Sequence, residues 1–275
     1  EMLRSLVGSE MCIRDRRGTT IAQNGVRIHT VEHALAAVSG LRLDNVLIEL
    51  TAKEAPVMDG SAKDFVDALQ SVNFIEQKQD RHVLEISRPV VYSDLKKEID
   101  IHVVPADRFR VTFLVEYPLP ALGTQYEAIY NMEEDFARDV APARTFCFLS
   151  EVEQLREKGL IKGGSLSNAV VILDRRIENG EIDHLRKLFG IEDKVIQGSN
   201  GILNGKVLRF HNEPVRHKTL DLIGDLALLG ISIKGHVTAA RSGHESNVEF
   251  VKMIRKEYKD PVSYTHLTLP TILLV

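Results

Sequence analysis

The chain has 275 residues, of which 44% are apolar, and its formal net charge at pH 7 is −4. This length allows two domains, and the apolar fraction is sufficient for a buried core. The acidic balance, without a basic cluster interleaved with aromatic residues, argues against a nucleic-acid-binding protein. No apolar run approaches the roughly 18 residues that span a bilayer. The two cysteines form no Cys-x-x-Cys motif, which argues against a disulfide framework or a zinc knuckle and fits a reducing cytoplasm.

Both ends of the chain are predicted to be foreign to the fold. Residues 1–16 and 261–275 have no amphipathic period that the neighbouring elements continue, and parts of them resemble translated sequencing-adapter reads. The alternatives are an ordinary start at one end and an edge strand broken by Pro270 at the other.

Between these ends, the pattern predicts an α+β protein with helices packed on sheets and domains at 17–79 and 80–260. The first domain contains an alanine-rich helix that ends at Gly40, with Thr30 as its N-cap. A strand at 46–50 and a helix at 62–71 follow. The second domain is predicted to contain strands at 83–86, 90–92, 98–104, 110–115 and 169–173, and helices near 133–140, 151–158 and 181–194.

The segment 217–225 is predicted to be an apolar helix, with Pro214 in its first turn and Gly230 as its C-terminal stop. His217, Asp221 and Asp225 recur every fourth residue, so they lie on one side of that helix. Burying an imidazole and two carboxylates is costly unless a cation or hydrogen bonds satisfy them. One helical turn brings His217 and Asp221 to one point, where a metal ion can bind both. The alternative is a partly exposed stripe with an ordinary ion pair.

A second motif, H-T-V-E-H, occupies residues 29–33. Glu32 and His33 diverge by about 100° on a helix, so one can ligate a metal while the other addresses a water bound to that metal. The motif also fits the inverzincin pattern, in which His29 and His33 both ligate zinc and the glutamate is the base. That alternative requires His29 to lie on the same helix, whereas Thr30 as N-cap would place it outside.

A third motif, Ser242-Gly243-His244, follows a predicted strand at 231–240. A glycine before a histidine at a strand end presents the imidazole to a cleft from a loop. The alternative is a solvent-exposed loop histidine. Asp225 is left without a metal role, and pairing with His244 would raise the imidazole pKa and make it a general acid.

Six motifs follow one another along the chain: T-V-E-H at 30–33, the stretch from D-N at 44–45 to P-V-M-D-G-S at 56–61, A-R-T-F at 143–146, G-G-S at 163–165, H-K-T-L-D-L-I-G-D-L at 217–226 and S-G-H at 242–244. Together, and in this order, they closely resemble the bacterial UDP-3-O-acyl-N-acetylglucosamine deacetylases, the zinc amidases of lipid A synthesis in Gram-negative bacteria. The resemblance runs from about residue 17 to residue 260. It implies two domains of similar β-α-α-β plan with the active site between them, in a cytoplasmic enzyme.

The resemblance also implies a role for each matched residue. The zinc ligands would be His33, His217 and Asp221, and Glu32 would be the general base. Zinc with two neutral imidazoles and one carboxylate keeps a fourth position for water, as a catalytic site requires.

The remaining matched residues would act on the substrate. Lys218 and Thr145 would stabilise the oxyanion, and His244, held by Asp225, would be the general acid. The residues implied to bind substrate are Phe146, Gly164, Ser165 and Arg241. Gly164 and Ser165 fall where the family builds a β-α-β insert around its acyl-chain passage.

The implied reaction is hydrolysis of the acetamide of UDP-3-O-(3-hydroxyacyl)-N-acetylglucosamine to acetate and UDP-3-O-acyl-glucosamine. A lipid-bearing substrate implies transient contact with a membrane surface. The chain would be a monomer unless fused to a 3-hydroxyacyl-carrier-protein dehydratase, as some members are. Relative to the family, a first stretch of several dozen residues would be missing before Arg17. The alternatives are therefore an inactive remnant that binds zinc or nucleotide sugar, and an inverzincin-like metallopeptidase.

Overall fold

The computed structural model describes residues 10–15, 18–119, 122–152, 168–177, 181–189, 201–258 and 273–274. The strands are β1 (Glu10–Asp15), β2 (Gly18–Gln23), β3 (Val26–Ile28), β4 (Leu47–Ile48), β5 (Val83–Glu85), β6 (Val90–Asp94), β7 (Ile99–Val104), β8 (Arg110–Glu116), β9 (Thr124–Ile129), β10 (Phe146–Phe148), β11 (Val170–Ile172), β12 (Ser232–Lys234), β13 (His236–Ala240) and β14 (Leu273–Leu274). The helices are α1 (Glu32–Gly40), α2 (Lys63–Gln70), α3 (Met132–Asp135, continued by a π-helical turn, Phe136–Val140), α4 (Glu181–Phe189), α5 (Glu213–Leu226, continued by a 3₁₀ turn, Ala227–Leu229) and α6 (His244–Glu257).

The main sheet has five strands in the order β6-β7-β13-β8-β9. Its pairs are antiparallel except β13 with β8, which run parallel. Residues alternate between the two faces, so Val111 and Phe113 of β8 lie on one face, where both are fully buried. Helix α5 packs against β8 and β9, and α6 packs against β6 and β7. The mixture of helices and sheets confirms the predicted α+β class.

Helix α5 is the central element of the fold. It contacts α1, α6 and the main sheet, and apolar residues on several of its faces are fully buried, such as Leu220, Leu222 and Ile223. Pro214 lies in its first turn, as predicted. Gly230 follows the 3₁₀ turn with a φ of 72°, in the left-handed region that glycine adopts at helix ends, which confirms the predicted stop.

Helices α1 and α5 pack almost backbone to backbone. A Cβ at Gly224 would lie 2.1 Å from the backbone oxygen of Glu32. At the other end of α1, a Cβ at Gly40 would lie 2.2 Å from the Phe136 ring. Gly224 therefore sets how closely the start of α1 approaches α5, and Gly40 allows the end of α1 to approach Phe136.

We expect Gly224→Ala to lower the free energy of unfolding by about 1–3 kcal/mol, because the new methyl group meets a main-chain oxygen that cannot rotate away. Alanine favours helix formation by up to about 1 kcal/mol over glycine, which offsets part of the cost. Urea unfolding measures the difference. An unchanged or higher free energy of unfolding would contradict this close approach.

Strands β10 and β11 form a separate parallel pair with a core on each face. On one face Val171 packs with Leu149, Val152, Leu185 and Leu203. On the other, Val170 and Ile172 pack with Leu122 and Ile202.

Several predicted elements differ from the observed ones. Thr30 is not the N-cap of α1; the helix begins at Glu32 after Val31, and the Thr30 hydroxyl donates to Glu54 Oε1 at 2.7 Å. The strand predicted at 231–240 is divided at Gly235: β12 pairs with β5, and β13 joins the main sheet. Strands β1, β2, β9 and β10 and helix α6 were not predicted.

The remaining predicted elements are confirmed where the structure describes them. The predicted helix at 151–158 is helical at 151–152, and its remainder lies outside the described residues, as does the end of the helix predicted at 181–194. At the chain ends, β1 pairs with β2 and β14 with β4. The domain limits and the foreign origin of both ends stay predictions. Within the described part of the chain, no helix combines the length and apolar character needed to cross a membrane.

Candidate active site

Three helices bring the predicted catalytic residues together. Glu32 and His33 are the first two residues of α1, and His244 is the first residue of α6. His217 and Asp221 lie one turn apart on α5. All five side chains are buried. The predicted stacking along α5 and the placement of Glu32 beside His33 thus lead to one buried cluster of side chains.

His33, His217 and Asp221 form a group whose candidate ligand atoms all lie within 4.8 Å of one another. Asp221 Oδ1 is 3.8 Å from His33 Nε2 and 3.4 Å from His217 Nε2. The two imidazole rings meet edge to face, with their centroids 5.0 Å apart. Two imidazoles and one carboxylate are a ligand set of catalytic zinc sites.

The protonation states of this group fit a metal. Burial and the neighbouring His217 lower the pKa of His33 to about 3, and burial also lowers the pKa of His217. Burial opposes ionisation of Asp221, but His217 and His244 hold the pKa of its carboxyl well below the usual range. Neutral imidazoles and an ionised carboxylate are the forms that bind metals. Asp221 Oδ1 is buried without a hydrogen-bond partner among the described residues, which leaves it available as a ligand.

The orientation of His217 is fixed from outside this group. Its Nδ1 lies 3.0 Å from the backbone oxygen of Ala143. A carbonyl oxygen can only accept, so Nδ1 carries the proton and Nε2 is the unprotonated nitrogen that faces Asp221. Metal-binding histidines are commonly oriented by such a hydrogen bond.

Glu32 lies beside His244. Its Oε2 accepts a hydrogen bond from the backbone N–H of Thr19 at 2.9 Å, and its Oε1 is 4.0 Å from His244 Nε2. Burial raises the pKa of Glu32 to about 7, although the charge of His244 opposes this shift. A carboxyl group with a pKa near neutrality is suited to general-base catalysis.

His244 is held by Asp225. His244 Nδ1 lies 2.9 Å from Asp225 Oδ2, and Asn247 Nδ2 donates to the same oxygen at 2.8 Å. Burial alone would lower the pKa of His244, but Asp225 and Asp221 raise it to about 9. The imidazole is therefore cationic at neutral pH, with Nε2 3.8 Å from Asp221 Oδ2.

The prediction that a loop presents His244 is wrong. Gly243 is the N-cap of α6, and its backbone N–H donates to Ser246 Oγ at 3.0 Å. A cation at a helix N-terminus is disfavoured by the helix dipole. The carboxylates of Asp225 and Asp221 outweigh that effect here.

Lys218, Thr145 and Phe146 were predicted to act on the substrate, and each has its own contacts in the structure. Lys218 Nζ lies 3.4 Å from Asp221 Oδ2. Thr145 is fixed by its backbone, which donates to Gly60 O at 2.7 Å and accepts from Val170 N at 2.8 Å. The Phe146 ring packs edge to face with Tyr117 and Phe148.

Arg241 and the glycine-serine pair are the remaining residues that were predicted to bind substrate. Arg241 has a φ of 54° and an ion pair with Glu116 Oε2 at 3.0 Å. Its Nε donates to Glu98 O at 2.7 Å. Gly164 and Ser165 lie outside the described residues.

His29 does not join the candidate metal group. It lies before the first residue of α1, and its Nδ1 is 2.9 Å from Thr20 Oγ1. The inverzincin alternative needs His29 and His33 on one helix, so this geometry disfavours it.

The sequence interpretation missed several residues around the site. Thr19 and Asn247 bind the side chains of Glu32 and Asp225, respectively. Tyr117 lies near Asp221, since burial and then the charge of Asp221 raise the pKa of its phenol to about 12. No motif marks these residues, because strand pairing and helix packing bring them to the site.

A buried ion pair anchors the segment that carries Ala143 and Thr145. Glu213, in the first turn of α5, accepts hydrogen bonds from Arg144 Nε at 2.8 Å and from the Arg144 backbone N–H at 3.0 Å. Both side chains are almost completely buried. The pair thus ties this segment to the start of the helix that bears His217.

We expect Glu213→Ala to lower the free energy of unfolding by about 3–5 kcal/mol, because it leaves the buried Arg144 guanidinium unpaired. The matched control is Glu257→Ala, which breaks an exposed pair with Arg88 and should cost no more than about 1 kcal/mol. Equal losses for the two variants in urea unfolding would contradict a structural role for the buried pair.

We expect Asp225→Asn to shift the alkaline limb of the pH–rate profile to lower pH. As the predicted general acid, His244 would be active when protonated, and its raised pKa would place loss of activity near pH 9; removing the Asp225 charge lowers that pKa. The acid limb, which would follow Glu32 as the predicted base, should keep its position. Glu249→Gln, an exposed change on the same helix, is the control. An unmoved alkaline limb, or loss of bound metal, would contradict the Asp225–His244 pair.

A cavity of about 350 Å³ lies beside the start of α5. Pro214, one turn before His217 on α5, contributes to its wall. The lining is mainly apolar and consists of Leu122, Val170, Ile172, Ile202, Val207, Leu208, His211 and Pro214.

An α+β fold that buries two imidazoles and a carboxylate beside a second carboxylate and a cationic imidazole has the side-chain set of metal-dependent hydrolases. The chain matches the family model for UDP-3-O-acyl N-acetylglycosamine deacetylase over residues 5–187 and 184–256. It therefore belongs to the UDP-3-O-acyl N-acetylglycosamine deacetylase family.

Similar proteins include both bifunctional and single enzymes. The bifunctional enzyme LpxC/FabZ of Chlorobaculum tepidum is 46% identical over 241 residues, which cover 87% of this chain and 52% of that protein. The enzyme of the same name from Porphyromonas gingivalis is 39% identical, covering 89% and 52%. The UDP-3-O-acyl-N-acetylglucosamine deacetylase of Syntrophotalea carbinolica is 40% identical, covering 87% and 69%. The chain thus spans about half the length of the bifunctional relatives.

Proposed function

We propose that this chain hydrolyses the acetamide of UDP-3-O-acyl-N-acetylglucosamine, releasing acetate and a free amine on the sugar. The observation that carries the proposal is that Glu32 Oε1 and Asp221 Oδ2 both lie within 4.0 Å of His244 Nε2. A base, an acid and a metal-binding group would thereby surround one reacting amide. Family membership supports the choice of substrate.

We assign the metal site to His33, His217 and Asp221, with zinc as the ion. When bound, zinc would polarise the acetamide carbonyl and make a bound water more acidic. Two imidazoles and one carboxylate leave a coordination position for that water.

In the proposed reaction, Glu32 Oε1 accepts a proton from the attacking water as the new C–O bond forms. Lys218 Nζ and Thr145 would stabilise the negative charge on the former carbonyl oxygen. His244 Nε2 then donates its proton to the amide nitrogen, and the C–N bond breaks to give acetate and the amine. Amide nitrogen is a poor leaving group, so the reaction needs an acid as well as a base.

We propose that the 3-O-acyl chain lies in the apolar cavity beside α5. Its mainly apolar lining suits a hydrocarbon chain, and Pro214 lies one helical turn from His217. Phe146, whose ring packs edge to face with Phe148, would guide the acyl chain away from the catalytic residues. The predicted contribution of Gly164 and Ser165 to this passage stays part of the proposal.

The remaining features of the proposal concern the nucleotide and the cellular setting. Arg241 would attract the diphosphate by its charge. We propose a cytoplasmic enzyme, and its lipid-bearing substrate implies transient contact with the membrane surface. We propose a monomer, unless the whole protein carries a dehydratase domain.

Acetate release from UDP-3-O-(3-hydroxyacyl)-N-acetylglucosamine tests the proposal. We expect release from this substrate, and much slower release from UDP-N-acetylglucosamine, which lacks the acyl chain. Peptide hydrolysis without acetate release would favour the metallopeptidase. Zinc binding without turnover of either substrate would favour the inactive remnant.

A further inference from the structure

Thr19 contacts both halves of the proposed acid–base machinery. It lies on β2 and is only 1% exposed. Its backbone N–H donates to Glu32 Oε2 at 2.9 Å, and its backbone oxygen accepts from the Val31 N–H at 3.3 Å. Its side-chain hydroxyl donates to Asp225 Oδ1 and lies 3.2 Å from His244 Nδ1. One residue therefore connects the start of α1 with the Asp225–His244 pair.

The hydroxyl of Thr19 completes the support of the Asp225 carboxylate. Asp225 is fully buried, and its Oδ2 accepts from both His244 and Asn247. Among the described residues, Thr19 Oγ1 is the donor observed for the other oxygen, Oδ1. With both oxygens held, the carboxylate cannot rotate away from the imidazole.

The same hydroxyl constrains the proton on His244 Nδ1. A hydroxyl has one proton, and Thr19 uses it toward Asp225, which as a carboxylate can only accept. Toward His244 Nδ1, the hydroxyl oxygen can therefore only accept. Nδ1 must carry a proton, and the other nitrogen, Nε2, faces Glu32 and Asp221.

The backbone of Thr19 orients the carboxylate of Glu32. Its N–H donates a hydrogen bond to Oε2, while Oε1 is the oxygen that lies 4.0 Å from His244 Nε2. This arrangement leaves Oε1 to accept a proton from water. The distance between the base and the acid thus depends on one residue of β2.

We propose that Thr19 is a positioning residue, which fixes Glu32 through its backbone and the Asp225–His244 pair through its hydroxyl. Its importance for turnover rests on the proposed function, whereas its effect on His244 does not. Two kinds of measurement therefore separate the two ideas.

The first test compares Thr19→Val with Thr19→Ser in the full chain. Valine keeps the β-branched shape and the backbone N–H but removes the hydroxyl, and serine keeps the hydroxyl. We expect valine to lower kcat by about 10- to 100-fold, with KM and bound zinc unchanged, and serine to stay within about threefold of the unaltered protein. Thr19→Ala, which differs from serine only by the oxygen, replaces valine if that variant does not fold.

The second test needs no turnover. In protein labelled with ¹⁵N-histidine, the Nδ1–H proton of His244 should give a slowly exchanging downfield signal. We expect this signal in the unaltered chain and in Thr19→Ser, and its loss or at least about tenfold faster exchange in Thr19→Val.

Unchanged kcat and an unchanged signal in Thr19→Val would overturn the proposal for Thr19. So would a serine variant as impaired as the valine variant, since packing rather than the hydroxyl would then matter. If the unaltered chain releases no acetate while the His244 signal still depends on the hydroxyl, the proposed reaction fails and the positioning role of Thr19 stands.

Discussion

Replacing Glu32 by glutamine is expected to lower kcat by about 10²- to 10⁴-fold, the usual contribution of a general base. Glutamine has nearly the same shape as glutamate and still accepts the Thr19 backbone hydrogen bond, but its amide cannot take a proton from water. Rates of acetate release measure the loss. The rate should fall at every pH, because the variant has no ionisable base to recover.

The same variant should keep its zinc, since the candidate ligands are His33, His217 and Asp221. Glu54→Gln is the matched control: this exposed glutamate accepts a hydrogen bond from Thr30, and its replacement should leave kcat unchanged. If Glu32→Gln retained full activity, or lost its metal, the assignment of Glu32 as a base rather than a ligand would be wrong.

His217→Ala is expected to abolish stoichiometric zinc binding. The variant removes one ligand of three and also the hydrogen bond that fixes the imidazole to Ala143 O. Elemental analysis of purified protein should find about one zinc per chain in the unaltered protein and almost none in the variant. His82→Ala, at an exposed histidine, should keep the full zinc content.

The same experiment with Asp221→Asn tests a second proposed ligand. Asp221 Oδ1 has no hydrogen-bond partner among the described residues. Loss of the carboxylate charge should therefore weaken zinc binding without breaking a hydrogen bond of that oxygen. Equal zinc in the unaltered protein and in both variants would show that the metal, if any, binds elsewhere.

The central helix and its site residues could be predicted from the sequence because their signals are local. Pro214 and Gly230 mark the two ends of α5, and the four-residue spacing of His217 and Asp221 fixes their common side. The pairing of Asp225 with His244 was also predicted, because an aspartate without a metal role needed a partner. Local periodicity and unsatisfied charge carry that information.

The contacts of Thr19 could not be predicted, because they depend on strand β2 meeting the start of α1 and the side of α5. The Arg144–Glu213 pair joins residues 69 positions apart, and neither belongs to a local pattern that names its partner. The conformation of Thr30 is a further case: a threonine before a helix favours capping, but here its φ of 55° and its bond to Glu54 prevent it.

Helix α6 was missed although a signal for it exists. Val248, Val251 and Ile254 recur every third residue and are buried, which is typical of one helical face. Ser246, three residues after Gly243, supplies the return hydrogen bond of a capping box. The strand predicted just before this segment and the glycine favoured a loop interpretation, so His244 was assigned to the wrong local structure but to the correct partner.

The most direct test of the whole account is a zinc titration of the metal-free protein while acetate release from UDP-3-O-(3-hydroxyacyl)-N-acetylglucosamine is measured. We expect no turnover without metal, a linear rise with added zinc and a plateau at about one equivalent per chain, as for a single site built from His33, His217 and Asp221. Full acetate release by the metal-free protein, or a titration in which His217→Ala follows the same curve as the unaltered chain, would contradict it.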